Sequence, residues 1–583
     1  MAITKTSLRN ITAGVRLGVE IVFDPDGYHI KLDGYNDIKF ISPISGGVDM
    51  DIDFINQLVV NDVTITLNDK NELLNLVSKR PGFHPFRYEY NYTQFTHVPA
   101  SYYFTCTSAA DFILSDLIRV SNGVTTDIFQ VTEITGTSIF YEPGAVSNDY
   151  SVTGCLAVNE PFINKRVYIY ATYEEIGVDS DRELVFIGLI KEPFRWVDGE
   201  ATITIYNIFA EALNKELTVN VSGEITNHDA QYITNAAGAM VDSLIWSVQT
   251  GSGALADVTI YNGASCGRWD ILFSDATNFT VTGPNCEAKA GTVGGDFYDQ
   301  TDATDSQIKI ATADWSGTPA AGDNLGFYIS VNFNDLTVPE IILSLLYDHA
   351  EIDSNFIDWS GTLGSDNSYS FDRIYNYLVL LPRNITISFS EQQTVAEALA
   401  IIIPHYMVMI GQKLDGKIGM LFFLSSATLN TLGGTESRRR KNTHAGSIKI
   451  GRTRYCNNII INYGWDYINS KYLYSYDYPG YGNKFNQSLI TEIRTKTINL
   501  PGIYTASKAA YAGGIYYRIF SFGADVLEYD LPMSEIATSS FGQMLRIPIG
   551  TTSTNDQNIQ IYKTELSLIS NFKIHITGHR LRV

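Results

Sequence analysis

The sequence predicts a mainly β, multidomain chain with a few short α-helices, and three observations predict it. The chain has 583 residues, too many for one hydrophobic core, and a prior of about 150 residues per domain gives about four. Tyr (36) and Phe (29) are abundant, charged residues are sparse at 18%, and Thr, Ile, Val and Asn crowd the chain, which is a strand-forming composition. Alternating polar and apolar runs, the two-residue repeat of a half-buried strand, recur along most of the length. Aromatic and β-branched residues run throughout, so the chain is not a disordered one.

Residues 1–82 read as strands and turns, with a hairpin at "DPDGYHIKLDGY" turning on Asp26-Gly27. "VTITLNDKNELLN", Val63 to Asn75, starts as a strand and passes into a short helix near Asp69 to Leu76. Residues 83–157 are short β runs punctuated by Gly, Asn and Pro, and read as a small inserted β domain. Residues 158–223 resume the first texture, with a turn at "VDSDRE". There "ATITIYNIFAEALN" changes period: Thr202 to Ile205 alternate, then Phe209, Ala212 and Leu213 fall at helical spacing. Residues 224–335 read as a second inserted β module.

Residues 336–444 hold the clearest helices. Thr337 with Glu340, and Thr394 with Glu397, are capping boxes, the second helix stopping near Pro404. After it comes a hairpin with Asp415-Gly416 at its tip. Residues 445–583 return to strands around one Ala-rich helix, about Ser507 to Phe520. In the last strand Phe572, Ile574 and Ile576 share one face, and Lys573, His575 and Thr577 the other.

Charge and motifs narrow the function. The net charge is −22, from 63 acids against 41 bases, which argues against a basic nucleic-acid-binding face. It suits solubility, and also a passage that DNA must slip through without sticking. Met1 to Asn10 has no apolar h-region, and no run of about 18 apolar residues exists, so neither a secretory signal nor a membrane span is expected. Five cysteines without a CxxC predict reduced thiols, with Cys266 and Cys286 near enough in sequence to meet. There is no HExxH, no zinc-like His and Cys spacing and no phosphate loop.

Four local patterns remain. "GASCG" places Ser265 in a GxSxG frame, but the next segment, "RWDILFSDATN", reads as a strand and a turn rather than the helix a nucleophile elbow needs. Asp296, Asp299, Asp302 and Asp305 recur every three residues, which does not match an EF-hand loop and reads as a solvated loop. Arg438, Arg439, Arg440 and Lys441 form the one dense basic run, read as a surface loop. Six Trp residues (196, 246, 269, 315, 359 and 465) are read as core of small β domains, with sugar stacking as the other reading. No catalytic, cofactor-binding or metal-binding residue is assigned, and no enzyme activity or cofactor is expected.

The order of pieces resembles bacteriophage tail hub (baseplate hub) proteins. The resemblance rests on "NDVTITLND", then Val167 and Ile169, then Phe186, Gly188 and Ile190, then Thr202 to Leu213, and it extends to "SKAAYAGGIYYRIF" and "TELSLISNFKIHITGHRL". It covers about two thirds of the chain, outside the two insertions, through apolar and glycine patterns rather than any single residue. It implies two tail-tube-like β-barrels, at 1–82 with 158–223 and at 445–583, around an α+β hub domain at 336–444. It also implies a homotrimer whose six barrels match a sixfold tube. The implied partners are the tail tube protein, the distal tail protein, tip or spike/fibre proteins and the tape measure protein, with DNA as passing cargo. The implied location is the virion, after assembly in the host cytoplasm. The competing readings are a receptor or carbohydrate binder, a hexameric distal tail ring, and a glycosidase, the last marked by paired carboxylates roughly 5–10 Å apart.

Overall fold

The computed structural model describes residues 15–22, 29–33, 38–49, 57–58, 62–68, 95–97, 103–106, 117–121, 126–142, 156–159, 165–173, 183–191, 195–197, 200–220, 232–235, 237–301, 305–358, 384–413, 417–421, 430–431, 449–452, 456–478, 493–521, 525–532, 544–547, 557–567 and 573–580. The described chain is mainly β, arranged in several sheets with a few short helices.

An N-terminal sheet of eight strands joins two separate stretches of sequence. Val15–Val22, His29–Asp33, Ile38–Ile41 and Val63–Asn68 pair with Arg166–Tyr173, Glu183–Ile190, Arg195–Val197 and Glu200–Asn207. All of its pairings are antiparallel, and Ile41, Ile65 and Ile203 stand in one buried row across three strands. The alternation read from the sequence is the alternation seen: Val63–Asn68 is buried at every second position. Gly188 sits where a Cβ would lie 2.5 Å from both Ile205 Cγ2 and the Tyr206 carbonyl oxygen. Only a residue without a side chain lets the two strands close there.

The residues between these stretches form a second sheet of six strands, from Phe95–His97 to Leu156–Asn159. A second module lies between Ile245 and Ile329. Its largest sheet has five strands around Gly267–Phe273 and Asn324–Ile329, and its own core includes Trp269, Phe273, Phe279 and Phe327.

The largest core belongs to the central unit. Helix α1 (Ile208–Leu213) continues the strand Glu200–Asn207 without a break, capped by Asn207 Oδ1, which accepts from the Phe209 amide at 2.9 Å. Helices α2 (Val338–Ser344) and α3 (Val395–Ile402) carry the expected capping boxes: Glu340 Oε2 accepts from the Thr337 amide at 2.7 Å, and Glu397 Oε2 from the Thr394 amide at 2.7 Å. Helix α3 ends in a short 3-10 turn, Ile403–His405, at Pro404. The hairpin Met409–Gln412 with Ile418–Leu421 forms as expected, its tip lying outside the described residues. The tip of the Asp26-Gly27 hairpin, the helix near Asp69 and the turn at "VDSDRE" also lie outside them.

Residues 445–583 contribute strands to two sheets. Asn458–Asp466, Lys471–Tyr478 and Thr495–Asn499 form a three-stranded sheet under helix α4 (Ala506–Phe520), and this pair packs into the central core. The C-terminal eight-stranded sheet is built on Gln557–Ser567, Lys573–Arg580 and Asp525–Pro532. In its last strand Ile574 and Ile576 are buried and Lys573, His575 and Thr577 half-buried, which is the expected two-faced pattern.

The two eight-stranded sheets are tied by one strand. Ser42 still pairs with Thr64 in the N-terminal sheet, through bonds of 2.9 Å in both directions. Pro43 then supplies no amide for that ladder. From Ile44 the chain pairs with the C-terminal sheet instead, Ile44 opposite Leu566 and Ser45 opposite Glu565. Ile44, Leu566, Ile574 and Leu531 make one buried row, so a residue from the start of the chain completes the core of a sheet from its end.

Candidate functional site

The sequence patterns that could have carried chemistry are occupied structurally. Ser265 is buried, its Oγ accepts from Asn285 Nδ2 at 2.8 Å, and its amide donates to Gln307 Oε1 at 2.8 Å. Among the described residues no imidazole or carboxylate is hydrogen-bonded to it, and the next element is the strand Gly267–Phe273, not a helix. Cys266 beside it is a free, buried thiol whose pKa burial pushes up to about 12. Cys286 is also free and half-buried, and burial raises it too.

The aspartates hold the module's own backbone. Asp299 is buried and accepts from the Gln307 and Ile308 amides at 2.8 and 2.9 Å. Asp296 accepts from the Thr312 amide at 2.8 Å and pairs with Lys309 at 3.1 Å, and the Thr312 amide foremost lowers its carboxyl to about 2. Asp305 is exposed, and Asp302 lies outside the described residues. Among the described residues no three metal-ligating side chains converge. The basic run Arg438 to Lys441 lies outside them.

In the second module Trp269 faces inward, while Trp246 and Trp315 are half-buried. Trp269 is fully buried and stacks on Phe327, ring centres 6.2 Å apart. A Cβ on Gly283 would lie 2.2 Å from the Trp269 ring, so glycine is needed opposite it. Trp246 stacks on Phe273, and Trp315 packs against Phe273 and Phe279. Trp359 and the side chain of Trp196 lie outside the described residues.

Two features outside those patterns stand out. One is the junction of the N-terminal sheet with the central core, where Asn207 is 1% exposed. Its Nδ2 donates to Gln412 Oε1 at 2.7 Å, and its backbone amide donates to Asp62 Oδ1 at 3.1 Å. Close by in sequence, Lys413 pairs with the buried Asp358 at 2.6 Å. The other is a cleft of about 480 Å³ in the central unit. One wall is the end of the strand Ile385–Phe389 and the other is the strand Thr495–Asn499. Trp465, Tyr467 and Tyr472 also line it, with Ile401 of α3, Pro404 of the turn that follows and Tyr516 of α4. Burial raises Tyr467 well above the ordinary phenol range and pushes Tyr472 up to about 12, so both hydroxyls are neutral. The sequence signal for this cleft is the aromatic stretch "GWDYINSKYLYSYDY". It reads as an ordinary strand pair until the fold sets Thr495–Asn499 beside it.

No protein-family model matches the sequence, and no curated protein does. Solved structures do show similarity. The 43 kDa tail protein of prophage MuSo2 from Shewanella oneidensis matches at 9% identity over 97% of this chain and 98% of its own, with a TM-score of 0.39. A tail protein from Neisseria meningitidis matches at 11% identity over 56% of this chain and 96% of its own, with a TM-score of 0.27. The prophage tail protein gp18 from Listeria monocytogenes matches at 9% identity over 53% of this chain and 87% of its own, with a TM-score of 0.24. Likeness at this level carries over no residue's role.

Proposed function

We propose that this chain is a structural protein of a bacteriophage tail: a trimeric hub that joins a sixfold tail tube to a threefold tip and lines the DNA passage. The observation that carries the reading is the pair of eight-stranded, mainly antiparallel sheets in one chain, tied through Ile44–Asp49. Each sheet is taken as one tube-like barrel. Three copies then present six barrels around one axis, which reconciles threefold with sixfold symmetry without any chemistry. The sequence resemblance to tail hub proteins supports the same assignment, and the net charge of −22 suits a channel wall that repels DNA. The partners are a second and third copy, the tube and distal tail proteins, tip or fibre proteins and the tape measure protein. The protein would reside in the virion after assembly in the host cytoplasm.

In the second module Trp269 is fully buried and the half-buried Trp246 and Trp315 both pack against Phe273, which weighs against the sugar-binding reading, because a sugar-stacking ring needs an open face. Light scattering behind a sizing column tests the assignment. Three chains per particle are expected. Six would make it a distal tail ring, and a monomer that added tube protein does not assemble would overturn both.

A further inference from the structure

The cleft in the central unit is lined by backbone that has nothing to pair with. Thr495–Asn499 runs parallel to Asn458–Asp466, and two bonds fix which way its amides point. The Asn458 amide donates to the Arg494 carbonyl at 3.2 Å, and the Leu500 amide to the Asn462 carbonyl at 2.9 Å. By the two-residue repeat, Lys496 and Ile498 face the partner strand, while Thr497 and Asn499 turn both N–H and C=O to the other side. That side is the cleft. No backbone partner meets either residue there among the described residues.

The opposite wall is also a strand edge. Thr386 donates its amide to the Gly502 carbonyl at 3.1 Å, which pins the two walls together at one end. Two residues on, the walls have parted. The Ser388 amide finds no carbonyl and is met by the Tyr467 hydroxyl at 3.1 Å. A phenol standing in for a strand marks where the ladder is interrupted.

We infer that this cleft receives one extended polypeptide segment of a neighbouring protein, paired along the free edge of Thr497 and Asn499 and running toward Glu391. Extended backbone is the ligand that satisfies alternating donors and acceptors on a strand edge. Strand edges of this chain form both walls, so a single segment fits and the edge of a folded sheet does not. At about 3.3 Å per residue, the two free residues register with a segment of three to five residues. Trp465, Tyr472, Ile401 and Pro404 offer an apolar seat for one of its side chains. Charge selects the next residue. Glu391 is exposed at the cleft and has no ion pair among the described residues, whereas Lys496 opposite is already partnered. A segment with an aromatic or aliphatic residue followed by Lys or Arg is therefore the complement. The slot lies within one chain and does not depend on how many copies assemble.

The test uses the full-length chain and two probes, acetyl-Thr-Val-Tyr-Val-Lys-amide and the same peptide ending in Glu. Hydrogen–deuterium exchange read by mass spectrometry should slow at least tenfold in the segment 494–500 at saturating Lys probe. The Glu probe should bind at least fivefold more weakly. Thr497→Pro removes a cleft-facing amide that the existing ladder does not use, so it should weaken the Lys probe at least tenfold with protection of 459–462 unchanged. Glu391→Lys, a surface change that keeps the fold, should reverse the preference between the two probes. Absence of protection by either probe overturns the inference. So does equal binding to Thr497→Pro, an unchanged preference in Glu391→Lys, or an edge already protected in the chain alone.

Discussion

Asn207→Ala should loosen the joint between the N-terminal sheet and the central core. The side chain does two jobs at one buried point. Its Oδ1 caps helix α1, and its Nδ2 donates to Gln412 Oε1. Alanine removes the cap, which costs about 1 kcal/mol. It also leaves Gln412 with no partner for its amide oxygen. Gln412 is 4% exposed and its Nε2 already has no partner, so the whole amide would be buried unpaired, at about 1–3 kcal/mol. The total is about 2–4 kcal/mol. The backbone bond from Asn207 to Asp62 survives the change, so the strand should stay in register. A chain of several units does not unfold in one step, and a single melting curve would blur the effect. Local exchange is the better assay: the Ala212 and Leu213 amides should exchange about 30- to 700-fold faster, since about 1.4 kcal/mol is a factor of ten. Adding Gln412→Leu to Asn207→Ala should restore part of the loss, because it removes the orphaned amide. Acceleration below fivefold, or two changes that simply add, would refute the reasoning.

Three further outcomes are expected from the same structure. Gly188→Ala drives a Cβ to 2.5 Å from Ile205 Cγ2 and the Tyr206 carbonyl oxygen, and should cost the N-terminal sheet about 1–3 kcal/mol, read as faster amide exchange in Glu183–Ile190 and Glu200–Asn207; unchanged exchange there would show that the strands can part. His405 is fully buried, accepts from the Gly502 amide at Nε2 (2.9 Å), and burial lowers its pKa to about 4. The unfolded chain takes up the proton first as pH falls, so about 3 kcal/mol of the central unit's stability should be lost between pH 6.5 and 4, and His405→Gln should flatten that slope in the exchange of the α3 amides, corrected for the intrinsic pH dependence of exchange. Cys266, with its thiol pushed up to about 12 by burial, should react with iodoacetamide at pH 8 at least a hundredfold more slowly than in urea; fast labelling of the folded chain would place it at the surface.

What could be read from the sequence was what local physics decides. The change of period at Asn207 marks the strand end, the cap and helix α1, because alternation, an amide-accepting side chain and helical spacing are all written within a few residues. The two Thr-x-x-Glu boxes are legible for the same reason. Ser265 was readable as no nucleophile because the helix that an elbow needs is missing after it, but the aspartates were legible only in part: Asp305 is exposed, as a solvated loop predicts, whereas Asp299 is buried and accepts from the Gln307 and Ile308 amides. The cleft was not legible. Its walls come from residues about 110 positions apart, and nothing in "TKTIN" says which amides will find partners.

The tie between the two large sheets shows the same limit from the other side. Pro43 separates Ile38–Ile41 from Ile44–Asp49, and a proline at that point dictates only an interruption. Which sheet the chain joins afterwards is decided more than 500 residues later, where Leu566 and Ile574 leave a buried row that Ile44 completes. That pairing also makes the two sheets one mechanical unit. The strand lies two residues from the N-terminal ladder and is hydrogen-bonded into the C-terminal one, so neither sheet can rotate far without breaking a ladder or exposing Ile44. A chain meant to present two barrels at a fixed spacing to a symmetric tube needs that rigidity, whereas a flexible receptor binder does not. The hub proposal therefore rests on how firmly the two sheets are coupled, and on the trimer count that would make that coupling useful.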